Sequence, residues 1–183
     1  MFSVNRTPRT LIALLAAVLS LSVSPATASE FEKFARKDQV AASDLIFIGR
    51  VVSVTSAWSA DHSAIYTSSE ITIDDVWKGA PESDRVSVRT PGGAVGGIAA
   101  KLDGAAEFAV GERVLVFLKR RGGVLEPVGM RFGKYEIVGE GDEATVVGNL
   151  PTDIVAAQGF EQVSLQLDEV RAEVSELLGK GRR

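Results

Sequence analysis

The sequence predicts a mainly β domain: a small antiparallel barrel with one helix before it and one after it. Three observations lead there. Apolar and β-branched residues gather in short runs with the length and period of strands. Gly, Pro and short polar stretches punctuate those runs. Helical periodicity occurs only near the ends of the mature region, which argues against alternating β-α units. Five or six strands in series close most simply into a barrel, which leaves no exposed edge.

The first segment is an address rather than a fold element. Arg6 and Arg9 give a basic start, and Leu11 to Leu21 (LIALLAAVLSL) is an apolar run broken only by Ser20. Pro25 and the small pair Ala26 and Ala28 follow. That order reads as a signal peptide over residues 1–28, cleaved before Ser29. The apolar run falls short of the roughly 20 residues a spanning helix needs. No cysteine follows to carry a lipid, and the adjacent arginines of a twin-arginine signal are missing. The reading is export to the periplasm or medium, with no membrane anchor after cleavage.

Residues 29–183 then form a single domain, large enough to bury about 70% of its unfolded surface without staples. The chain contains no cysteine, which suits a bacterial exported protein better than a small disulfide-built eukaryotic one. Losing Arg6 and Arg9 takes the formal charge from −4 to −6. The remaining bases are scattered except for Lys119-Arg120-Arg121, which precedes Gly122-Gly123 and reads as a solvated hairpin end. Nucleic acid is therefore not an expected partner.

The elements follow in order. Phe31, Phe34, Ala35, Val40 and Ala41 mark a short amphipathic helix over 31–42. Leu45 to Val54 is a dense apolar strand in which Gly49 marks a bulge or a close backbone approach. Ile65 to Trp77 alternates, with Ile65, Thr67, Ser69, Ile71 and Ile73 on one face, and Trp77 is assigned to the core. The polar stretch Ser59–Ser63 joins these two strands as a hairpin.

Arg85 to Thr90 makes a third strand, ended by the turn Pro91-Gly92-Gly93. Val114 to Leu118 makes a fourth, and Gly122-Gly123 turns it into Val124 to Met130, where Pro127 points to an edge or a bulge. Tyr135–Val138 and Ala144–Val147 add a further hairpin. Val163, Leu167, Val170, Val174 and Leu177 form one stripe of a C-terminal helix over about 160–179, stopped at Gly179 and docked on the sheet.

One set of motifs carries a resemblance: Ser43 to Val51 (SDLIFIGRV), Ile65-Tyr66-Thr67, Val76-Trp77-Lys78-Gly79, Thr90-Pro91-Gly92-Gly93, Phe108 through Gly111-Glu112 to Leu118, and Gly133-Lys134-Tyr135. Together, over residues 43–138, they resemble small exported bacterial domains of uncharacterised function. In architecture alone, a small barrel flanked by helices also resembles the netrin-like, OB-type barrel of tissue metalloproteinase inhibitors. Members of that group chelate zinc through an N-terminal cysteine, which this chain lacks, so that mechanism does not carry over.

The inventory for catalysis is thin. Cysteine is absent, no G-x-S-x-G occurs, and His62 is the only histidine, so neither a nucleophile with its base nor a multi-histidine zinc site is nominated. Asp74 and Asp75 are expected on opposite faces of one strand. Glu140, Asp142 and Glu143 lack the spacing of a calcium loop and read as a solvated turn. No catalytic residue, metal ligand or cofactor is assigned.

Two candidate binding features remain. Trp58, His62 and Tyr66 bracket the first hairpin and offer one stacking patch, a residue type favoured at interfaces. Gly92, Gly93, Gly96 and Gly97 lie in a glycine-rich loop without the Gly-Lys-Ser or Gly-Lys-Thr of a P-loop; if it binds, exposed backbone amides are its means. The functional expectation is a non-catalytic binding or accessory module of the bacterial envelope or extracellular space, with a protein or glycan partner. The alternatives are a protease inhibitor that inserts Pro91–Gly97, and a carboxylate-dependent hydrolase.

Overall fold

A computed structural model describes residues 36–148 and 164–181. The signal segment, Phe31, Phe34, Ala35 and Val163 lie outside the described residues. Helix α1 (Arg36–Ala42) leads into β1 (Leu45–Trp58), β2 (Ile65–Lys78) and β3 (Arg85–Pro91). Short strands β4 (Gly93–Val95) and β5 (Ile98–Ala100) follow, then β6 (Arg113–Arg121), β7 (Val124–Pro127), β8 (Lys134–Val138), β9 (Thr145–Gly148) and β10 (Ser164–Gln166). Helix α2 (Leu167–Lys180) closes the described chain.

Five strands form a ring. β1 pairs with β2, β2 with β3, β3 with β7, β7 with β6, and β6 returns to β1. The ring closes because β1 is long and bulged: Ile46 to Arg50 pair with β2 on one edge and with β6 on the other. Gly49 lies beside one of three register shifts along the β1–β2 pair. A Cβ there would overlap the Thr72 carbonyl oxygen and stand 2.8 Å from Ile71 Cγ2, so the backbones touch only because glycine has no side chain.

The sheet is mixed, not antiparallel as the sequence suggests. β3 and β7 run parallel through one bridge, Val88 to Leu125. Between them the chain makes the β4–β5 excursion and crosses back along β6, so β7 arrives in the direction of β3. Beyond the ring, β8, β9 and β10 extend the sheet from β6.

Two apolar clusters explain the sequence pattern. Inside the ring lie Phe47, Val51, Ile71, Val86, Val88, Val114, Val116 and Leu125. Outside it, Ile46, Ile48, Leu115 and Phe117 pack under Val40 of α1 and Leu167, Val170 and Val174 of α2. β1 and β6 are thus covered on both faces, which is why they read as unbroken apolar runs while β2 and β3 alternate.

The two helices do not stand at opposite ends of the sheet. They pack side by side over this outer cluster, and Arg36 pairs with Glu173 at 3.4 Å. Lys78 Nζ donates to the carbonyl oxygens of Val40 and Ser43, the former at 2.7 Å, and so satisfies carbonyls where α1 ends. Helix α2 begins at Leu167, not near 160, because Ser164–Gln166 pair with β9 first. It also runs through Gly179 to Lys180, and Gly181 caps it. Trp77 is half-buried rather than central: its indole packs against the outer cluster, donates to Asp75 at 2.8 Å and lies under Arg171.

Candidate functional site

The hairpin tip between β1 and β2 is an ordered turn. Ser59 and Ser63 hydroxyls donate to Asp61 Oδ1 at 2.6 and 2.8 Å, and Ser63 N–H donates to the same oxygen at 3.2 Å. These bonds, the Ser59 hydroxyl first, lower the Asp61 pKa from 3.8 to about 2. His62 takes a left-handed φ of 55° and stacks on Trp58 with ring centroids 6.1 Å apart and planes 25° from parallel.

A depressed carboxylate supports the fold above its unfolded pKa and loses that support as pH falls through the folded value. The tip is therefore expected to stay ordered from neutral pH down to about pH 4 and to loosen towards pH 2. Carbon NMR of the Asp61 carboxyl checks it. A midpoint near 2, moving up towards 3.8 in Ser59→Ala, is the expected result.

Tyr66 does not join that stack. Trp58 pairs across the hairpin with Ile65, whereas Tyr66 pairs with Ala57, so the two aromatic rings leave opposite faces. The Tyr66 ring instead backs Arg89, whose guanidinium lies 4.7 Å from the ring centroid and pairs with Glu126 at 2.8 Å.

The glycine segment is a hairpin rather than a loop, and it stands near the same end of β1–β2. Gly96 and Gly97, at φ 59° and 83°, make the two-residue turn between β4 and β5. Gly92 N–H donates to Ile65 O at 2.8 Å, and Thr67 Oγ1 donates to Gly92 O at 2.8 Å. At Gly93 a Cβ would collide with the Ser56 and Thr67 hydroxyls. Gly92 and Gly93 thus seat the hairpin on β1 and β2, and only Gly96 and Gly97 project into open space.

A groove with no local signal in the sequence lies elsewhere. A groove of about 270 Å³ follows the seam between β3 and the β6–β7 turn. Arg85, Arg89 and Arg120 line it with Ser68, Ser83 and Ser87, against one carboxylate, Glu82. Leu45, Val86 and Leu125 form its apolar floor. Among the described residues Arg85 and Arg120 have no ion-pair partner, whereas Arg89 is held by Glu126 and Tyr66. The β6 main chain is fixed here by Arg120 N–H donating to Asp44 Oδ2 at 2.8 Å.

The signal for this groove was distributed. Arg85 and Arg89 alternate outward on a strand, and Arg120 belongs to a basic triplet on β6, which the ring places one strand, β7, away from β3. A second groove, also about 270 Å³, mixes Arg50 and Arg113 with Glu112, Glu136 and Glu140 and largely neutralises itself.

The carboxylates are occupied separately. Asp74 faces Arg113 at 3.8 Å and Asp75 faces Arg171 at 2.6 Å, on opposite sides of β2. Glu140, Asp142 and Glu143 are exposed around a one-turn 3-10 helix, Gly141–Glu143. Among the described residues no group of three or more His, Asp or Glu is placed to hold a metal ion, and no helix is long and apolar enough to cross a membrane. No family model matches the chain, and no curated protein matches it, so the functional reading rests on this geometry.

Proposed function

We propose that the protein is an exported, non-catalytic binding module on a netrin-like, OB-type barrel, and that its ligand is an anionic protein or glycan held in the arginine groove. The observation that carries this reading is the convergence of Arg85, Arg89 and Arg120 on one concave surface of a chain whose net charge is negative. A local cationic groove on an acidic molecule is a selective feature, because the remaining surface repels the same ligand. Five ring strands with a parallel β3–β7 closure support the OB-type assignment. The order of basic, apolar and small residues over 1–28 supports export.

The alternatives have less support. A protease-inserting wedge needs main-chain groups free to pair with the protease, and β4 and β5 pair with each other instead. A carboxylate hydrolase needs two convergent acids, and Asp74 and Asp75 diverge to different arginines.

The test starts from protein recovered after export, its N-terminus read by mass spectrometry and expected at Ser29. Oligogalacturonate and poly-glutamate are then titrated at several salt concentrations. Binding that weakens with salt is expected, and Arg85→Ala with Arg120→Ala together should weaken it about tenfold, the sum of two exposed ion pairs of ~0.7 kcal/mol each. Equal binding by the double variant removes the groove from consideration.

A further inference from the structure

We propose that the open seam between β3 and β7 takes up an extended peptide of alternating acidic and apolar residues as an added β-strand. This rests on the groove reading above and gives its ligand a chemical class. Antiparallel ladders alternate in which residues turn their N–H and C=O towards a given neighbour. Two bonds set the phase along β2–β3, Ile73 N–H to Asp84 O and Gly92 N–H to Ile65 O, both at 2.8 Å. Val86, Val88 and Thr90 therefore direct their main-chain groups to β2, and Arg85, Ser87 and Arg89 direct theirs towards β7.

β7 answers with a single bridge, Val88 to Leu125. On its C-terminal side the ladder stops because Pro127 has no N–H to donate. On its N-terminal side the Gly122-Gly123 turn carries the chain away. The N–H of Ser87 is left facing the groove without a strand neighbour, and the main chain of Arg85 is met only by the exposed Ser83 hydroxyl, which accepts its N–H at 3.3 Å and donates to its oxygen at 2.6 Å. A guest strand would pair with Ser87 N–H and displace the Ser83 hydroxyl from Arg85, an edge held by one exposed side chain rather than by a strand.

The side chains around the seam then specify the guest. Arg85, Ser87 and Arg89 stand on the outer face at every second position, with Arg120 across the groove. The inner face is the floor of Leu45, Val86 and Leu125. A strand laid here presents alternate residues to arginines and to aliphatic carbon. A glycan pairs with the arginines but has no repeating amide to continue the β3 ladder.

The probe is a capped hexapeptide alternating Glu and Val, compared with the same peptide N-methylated at alternate residues and with oligogalacturonate. The parent peptide is expected to bind, and N-methylation on the bonding edge should weaken it about tenfold. Ser87→Pro removes the N–H offered to the guest and leaves the β2 ladder intact; it should weaken the peptide about tenfold and leave oligogalacturonate unchanged. If that variant does not fold, the methylated peptide on the unaltered protein gives the same answer. Equal binding of methylated and parent peptides overturns strand addition while the groove reading stands. Binding of neither polyanion nor peptide overturns both.

Discussion

Phe117→Ala is expected to cost the domain about 3–5 kcal/mol, the range for removing a large aromatic side chain from a packed core. Phe117 is 0% exposed and lies in the cluster that joins β1 and β6 to α1 and α2. Its ring meets Tyr135 edge-on at 5.8 Å. Tyr135 in turn donates to Gln39 Oε1 at 3.0 Å, and Gln39 Nε2 donates to Phe132 O at 2.8 Å. The cavity would therefore loosen a hydrogen-bonded layer as well as an apolar one. Urea unfolding followed by circular dichroism measures the loss, and a cost under ~1 kcal/mol would mean that the helices do not cover this face.

Glu112→Ala is the second large effect, expected at about 2–4 kcal/mol, because it strands a buried cation. Lys134 is 2% exposed, and its Nζ donates to Glu112 Oε2 at 2.7 Å and to Glu107 O at 2.5 Å. The Phe108 ring lies 5.0 Å from the same ammonium. Glu112 also accepts Ala109 N–H at 2.9 Å, so one carboxylate ties the 101–112 crossing to β8. Replacing both partners, Lys134→Met with Glu112→Gln, should recover stability to within ~1 kcal/mol of the parent, since no charge is then left unpaired. Thermal unfolding of the single and double variants separates the outcomes. A double variant as unstable as Glu112→Ala would show that the packing, not the charge, was lost.

Much of the sheet is legible in the sequence. β1, β2, β3, β6 and the β8–β9 hairpin fall where the apolar runs and turn residues put them, and Gly122-Gly123 makes the expected tight turn. What was missed has a common cause. β4, β5 and β10 are three residues each, too short for a period to register. Glycine flanks β4 and suggested a loop, yet the same glycines supply the positive φ of a hairpin. β10 precedes α2 directly, so its residues were absorbed into the helical stripe.

The candidate site was far less legible. Trp58 and His62 do meet, as their places on one hairpin implied. Tyr66 parts from them because register, not proximity in sequence, decides which face a strand residue takes. Lys119-Arg120-Arg121 looked like a solvated hairpin end, and Arg120 is indeed exposed. Only the ring brings it opposite Arg85 and Arg89.

The chain's own order of residues determined the strand-rich architecture, because alternation and turn chemistry are local properties that each segment carries alone. Which strands became neighbours was decided in three dimensions. A parallel contact between β3 and β7 depends on the path taken between them, and a proline at position 127 limits that contact to one bridge. The arginine-lined gap exists only because that closure is incomplete, and pairwise encounter between distant segments leaves no periodic mark in a sequence.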